Sequence, residues 1–202
     1  MSGYLGRVYG VGSSEEARAL YDEWSATYEE EVAANGYATP GRIAAALATA
    51  LPDREAAILD IGCGTGLAGL ALRAEGFTTV DGRDVSSEMI GMARGKGAYR
   101  DLRAVEPADP LAGVAPGDYA AIVACGVIGS GAAPWSLFDG CMERLGPGGL
   151  FAVSLNDHAL AEPEATAAVG RWDPERASVL FREHGEHLPG IDLGSTVLVL
   201  RR

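Results

Sequence analysis

The chain has 202 residues, 48% of them hydrophobic and 7% aromatic, with 28 acids against 16 basic residues and a net charge of −12. That length suits one domain with a sizeable core. The acidity argues against nucleic acid as a partner, since neutralising phosphates needs a basic stripe and the single lysine, Lys96, lies in none.

No apolar run approaches the length of a bilayer span, so no membrane association is expected. The start, Met1-Ser-Gly-Tyr-Leu-Gly-Arg7, lacks the apolar core of a signal peptide, and a cytoplasmic protein is expected. Arginine and alanine richness suggests coding in a bacterial genome. Cys63, Cys125 and Cys141 are widely spaced and form no metal-ligand pattern, so no metal is expected.

Residues 1–13 hold four glycines and are expected to be loose. Ser13-Ser14-Glu15-Glu16 reads as a helix start, and Ala17, Leu20, Tyr21, Trp24 and Tyr28 then recur at helical spacing. A second helix follows Pro40 and buries Ile43, Ala46, Leu47 and Leu51. Strands are predicted at 57–61, 78–83, 102–105, 119–125 and 150–155, with helices at 67–75, 86–94 and 134–145 between them. A helix near 173–184 and a strand near 195–200 close the chain. Strand–helix alternation predicts an α/β protein with a parallel doubly wound sheet. Residues 1–202 read as a single domain, with a helical leader over 1–52 and the core over 53–202.

Residues 57–66, Ala-Ile-Leu-Asp-Ile-Gly-Cys-Gly-Thr-Gly, carry the most functional information. A buried strand runs into three glycines, whose lack of a Cβ allows a sharp turn and close approach to a ligand. Gly64-x-Gly66-x-x-Gly69 formally matches the dinucleotide fingerprint, but Gly62 holds the place directly after the strand, giving G-x-G-x-G. Asp60, just before the turn, would repel a pyrophosphate at the helix N-terminus. A cofactor with a cationic group and no phosphate suits it, and S-adenosylmethionine (SAM) is such a molecule. About twenty residues on, Asp84 ends the second strand, where a carboxylate can accept from both ribose hydroxyls.

Asp60-Ile-Gly-Cys-Gly-Thr-Gly66, Asp84-Val-Ser-Ser-Glu-Met89 and Pro147-Gly-Gly149 before an apolar strand together resemble class I SAM-dependent methyltransferases. Tyr21-Asp-Glu-Trp-Ser-Ala-Thr-Tyr28 and Gly36-Tyr-Ala-Thr-Pro40 resemble the leader of the Williams–Beuren-region methyltransferase-like subgroup. The resemblance implies a Rossmann-like, doubly wound, mostly parallel seven-stranded sheet in the order 3-2-1-4-5-7-6, with an N-terminal helical lid.

It also implies cofactor contacts at the carboxyl ends of the strands: Asp60, Gly62, Cys63, Gly64, Asp84, Val85, Glu106, Pro107, Cys125 and Gly126. Asp60 would hold the ammonium and Asp84 the ribose diol, while Val85 and Met89 sandwich the adenine. Glu106 would meet the adenine amino group, with Asp109 as a rival. Tyr28 and Tyr37 would lie at the methionine and methyl end. An aromatic stripe at helical spacing is otherwise ordinary core.

The implied activity is in-line methyl transfer to a small-molecule acceptor. The Asn/Asp-Pro-Pro-Tyr/Phe element of base and glutamine amino-methylation is absent after the fourth strand, which continues Cys125-Gly-Val-Ile-Gly-Ser130. No catalytic residue is assigned. Asp157 and His158 are candidate bases, with His184 and His187 behind them. A non-catalytic SAM-binding module and a nicotinamide-dependent oxidoreductase are the alternatives.

Overall fold

Four consecutive buried residues, Ile58–Ile61, form β1, an interior strand of the sheet. The computed structural model describes residues 4–8, 14–129, 131–172 and 176–202. β1 pairs in parallel with β2 (Val80–Asp84) on one side and β4 (Ala121–Cys125) on the other. β3 (Asp101–Ala104) and β5 (Leu150–Asn156) extend the sheet in parallel. β7 (Leu193–Arg201) enters antiparallel to β5 and pairs with β6 (Ser178–Leu188), giving the order β3-β2-β1-β4-β5-β7-β6.

α4 (Leu67–Ala74), α5 (Ser87–Gly95) and α6 (Ser136–Arg144) follow β1, β2 and β4. One apolar core packs Phe138 and Met142 of α6, with Leu145 just after it, against Leu59, Ile122, Phe151 and Leu198. On the other face α3 (Thr39–Ala50) buries Ile43 and Leu47 against Ile58, Val80, Val123 and Val199. Pro40 sits in the first turn of α3, where its missing N–H costs nothing. Leu51 is only half-buried, because it caps that helix.

Two expectations change. The predicted helix near 173–184 is replaced by α8 (Pro163–Trp172) and strand β6, while residues 173–175 lie outside the described residues. Val179 and Phe181 are half-buried beside exposed neighbours, and β7 supplies a full-length antiparallel partner. Tertiary pairing overrides the weak helical spacing there. The second change concerns the N-terminus. Tyr4–Val8 forms a short helix, α1, and Tyr4 stacks on Trp24 at 5.9 Å. Residues 1–3 and 9–13, Ser13 included, lie outside the described residues.

The leader helix α2 (Ser14–Ala34) buries Trp24 and Leu20 against Leu188 and Leu193 of the β6–β7 hairpin. Lys96, which caps α5, bonds Glu29 at 2.5 Å and ties the far side of α2 to the core. The aromatic stripe is therefore partly satellite core. α7 (Asp157–Leu160) follows β5 and is capped by Asn156.

Three glycines make room for one phenol. A Cβ on Gly69 would lie 2.2 Å from Tyr99 Cζ, and one on Gly82 or Gly66 would lie about 3 Å from the same ring. Tyr99 Oη accepts from the Gly69 N–H (3.0 Å) and donates to Asp60 Oδ2 (2.7 Å). Gly69 is thus explained by Tyr99 and not by a pyrophosphate. Asp60 itself is 0% exposed, and its Oδ1 has no partner among the described residues. Burial pushes its pKa up to about 7; Tyr99 opposes this and Asp84 adds to it.

Gly69→Ala is expected to overpack this slot and lose roughly 1–3 kcal/mol of stability, read from urea unfolding. A second expectation concerns pH. Asp60 binds its proton more tightly folded than unfolded, so its contribution to stability is full below about pH 4 and is lost as pH rises through about 7. Melting temperatures of Asp60→Asn across pH 4–8 should therefore fall less steeply with rising pH than those of the natural protein. Parallel curves would mean that Asp60 does not titrate in this window.

Candidate cofactor site

At the carboxyl ends of β1, β2 and β4 the sheet opens into a cavity of about 540 Å³, within the size range of small-ligand sites. Adjacent strands leave the sheet centre in opposite directions here, the place where open α/β sheets take ligands. The turn after β1 forms one wall. Gly62, Gly64 and Gly66 have φ of +68°, +52° and +94°, a region closed to most side chains, so the three glycines are required by backbone geometry. A Cβ on Gly62 would in addition meet Val127 at 2.5 Å.

The donors of this turn are used internally. The N–H groups of Gly62 and Cys63 both donate to the Arg83 carbonyl (2.7 and 3.0 Å). Gly66 donates to the Cys63 carbonyl (2.9 Å), and Gly64 donates to Asp84 Oδ2 (2.8 Å). A pyrophosphate would find these four donors occupied and a carboxylate in their midst. Asp84 Oδ1 also accepts from the Ser86 N–H (2.9 Å), and Ser86 Oγ caps α5 through Met89 N (3.1 Å). Each Asp84 oxygen keeps a lone pair for a ligand on the cavity side. Burial raises the pKa of Asp84, and the backbone donors work against that rise.

Of the residues singled out in the sequence, Tyr28, Gly62, Gly64, Asp84, Val85, Met89, Pro107, Cys125 and Gly126 line this cavity. Asp60 and Cys63 do not; both are buried beneath the turn. Tyr37 lines a smaller adjoining cavity, and its hydroxyl lies 3.7 Å from Cys125 Sγ. Burial pushes the Cys125 thiol up to about 12, which removes it as a thiolate nucleophile.

Glu106 does not line this cavity. Its side chain is 83% exposed and lies 4.0 Å from Arg18, outside the cavity wall. The Asp109 N–H donates to the Glu106 carbonyl (3.0 Å), and after this turn Asp109 lines the cavity. Asp157 is engaged elsewhere, with its carboxylate on His184 Nε2 (3.1 Å) and the Gly194 N–H (2.8 Å) at the surface. His158 is exposed. Of the four candidate bases only His187 faces either cavity.

Sequence reasoning missed Tyr99, Val127, Leu111 and Leu137, which shape the site from distant positions. The glycines Gly69 and Gly82, unexplained by any turn, were the one local trace of Tyr99.

Comparison with known proteins agrees with this geometry. Residues 35–193 match a family model described as a methyltransferase domain. The human methyltransferase-like protein 27 is 30% identical over 177 residues, covering 82% of this chain and 72% of its own length. Among solved structures, the [4+2]-cyclase SpnF superposes with a TM-score of 0.69 at 15% identity, covering 95% of this chain and 97% of its own. The N-terminal domain of EvdMO1 with S-adenosylhomocysteine (SAH) bound gives 0.54 at 18% identity, covering 80% of each chain. The ribosomal protein L11 methylase of Lactobacillus delbrueckii subsp. bulgaricus gives 0.59 at 18% identity, over 79% of this chain and 77% of its own. The phosphate-free glycine turn, the ribose-side carboxylate and these matches make the chain a member of the class I SAM-dependent methyltransferase family.

Proposed function

We propose that this protein transfers the methyl group of SAM to a small-molecule acceptor by in-line displacement. The observation that carries the reading is the glycine turn whose N–H groups are spent on Arg83, Cys63 and Asp84. Such a turn suits a ligand that offers hydroxyls and a cation. In this reading Asp84 takes the ribose diol, while Val85 and Met89 flank the adenine. Asp109, and not Glu106, meets the adenine edge. The buried carboxylate of Asp60 stands behind the turn at the ammonium end. Tyr28 and Tyr37 bound the methyl end.

Bound there, SAM supplies a methyl carbon on a cationic sulfur that departs as a neutral thioether. The chain's own contribution is alignment and exclusion of water. The acceptor must be held about 3–3.5 Å from the methyl carbon. Tyr21 and Tyr28 at that end offer aromatic faces, which suit a cation. A small acceptor is supported by the size of the cavity and by the net charge of −12, which would repel a nucleic acid.

SAH at a hundredfold excess over its Kd is expected to stabilise the protein by about 2.7 kcal/mol, visible in a thermal melt, while NAD leaves the melt unchanged. The reverse result would favour the oxidoreductase reading. Asp84→Ala should weaken SAH by about ten- to a hundredfold, the loss of hydrogen bonds to a charged acceptor. Glu106→Ala should leave SAH affinity within twofold, measured by calorimetry.

A further inference from the structure

Next to the large cavity lies a small one of about 60 Å³, and the two share Tyr21, Tyr28, Gly126 and Ala132. The small cavity is therefore the continuation of the site beyond its methyl end. The lining side chains with a polar atom are Tyr21, Trp24, Tyr28, Tyr37, Asn156 and His187, the Trp24 indole being spent on Glu31 (2.8 Å), and no carboxylate, lysine or arginine lines it among the described residues.

The free ends of two of these groups follow from their bonds. Asn156 Oδ1 accepts from the Ala159 N–H (2.9 Å), which leaves the amide NH2 to face the cavity. His187 Nδ1 is bonded to Thr39 Oγ1 (2.7 Å), which leaves Nε2 as the free ring nitrogen. Thr39 Oγ1 meets Ser195 Oγ (3.1 Å), and Arg42 Nη1 donates to that same oxygen (3.0 Å). The edge-to-face contact with Tyr37, at 5.2 Å and 84°, fixes the imidazole plane. The ring is thus held in place from α3, from β7 and by Tyr37. Burial, Arg42 and His158 all lower its pKa, and Asp157 alone opposes them, so that it stands at about 4. The imidazole is neutral at physiological pH.

We infer that this small cavity seats the reacting oxygen of the acceptor, and that the acceptor is an alcohol or phenol whose hydroxyl lies between the Asn156 amide and His187 Nε2. The inference rests on the methyltransferase reading above. A hydroxyl both accepts and donates, and this pair offers one donor and one acceptor. An ammonium acceptor would find no counter-charge there. A thiol would make only weak hydrogen bonds with the same groups.

The step balances. The acceptor oxygen forms a C–O bond as the C–S bond breaks, and the electron pair of that bond stays on sulfur. The hydroxyl proton passes to His187 Nε2. In the neutral ring that offers Nε2 as acceptor, Nδ1–H already donates to Thr39 Oγ1 and the Thr39 hydroxyl donates to Ser195 Oγ, so the transient imidazolium keeps a partner on its buried side. A base as weak as this one suffices, because an oxygen that has gained a methyl while keeping its proton is a very strong acid. The proton leaves His187 for solvent after the product departs.

The test uses the full chain saturated with SAH, with phenol as the probe and benzylamine as the cationic control. The protein has only three histidines, so ¹⁵N-histidine labelling resolves His187 from His158 and His184. Phenol is expected to shift His187 Nε2 and leave the other two histidines unmoved, and benzylamine to shift none. His187→Gln should hold SAH affinity within twofold while weakening phenol at least tenfold. If SAH binds and phenol leaves the His187 resonances unmoved, or if benzylamine moves them equally, the acceptor assignment falls and the methyltransferase reading stands. If SAH does not bind, both fall. The labelled natural protein keeps the test decisive even where the variant folds poorly.

Discussion

The hydrogen bond from the Gly64 N–H to the Asp84 carboxylate is the constraint on which the site depends. It joins the turn after β1 to the end of β2 and so fixes two strand ends against each other. It also spends a donor that a nucleotide phosphate would otherwise claim. The same carboxylate takes the Ser86 N–H, and Ser86 caps α5, so one side chain sets the turn, the strand end and the following helix. Cofactor chemistry is written here in which backbone donors remain unused. A family fingerprint of glycines does not by itself reveal that.

Tyr99 is the counterpart on the buried side. Its ring fills space that exists only because Gly66, Gly69 and Gly82 lack side chains, and its hydroxyl links the start of α4 to Asp60. The price of the arrangement is a fully buried carboxylate with one oxygen unpartnered. Isolated buried charge is costly, and the raised pKa of Asp60 is the form that cost takes.

Much of this was legible in the chain. The buried run at 58–61, the three glycines and the acid at the end of β2 stand within a few residues of one another, and local periodicity is enough to find them. The sheet order came from resemblance, since periodicity carries no pairing information. The C-terminal region was misread for a related reason. β6 is an edge strand with exposed polar side chains at Arg182, Glu183 and His184, and only its partner β7 gives it a strand's alternation. Edge strands are commonly charged for protection, and this blurs their apolar pattern. Glu106 and Asp109 were separable only by a turn bond between them. The chain from Arg42 through Ser195 and Thr39 to His187 joins residues more than 140 positions apart, and no spacing rule reaches that far.

The wall that the two cavities share has an energetic consequence. Tyr21 and Tyr28 stand on one helix and face both spaces. A molecule in either space packs against the same two rings. Where one ligand shifts those rings for the other, thermodynamic linkage makes the factor by which the first tightens the second equal the factor by which the second tightens the first. Cooperativity of this kind needs no moving domain. It follows from two rings with a ligand on either side.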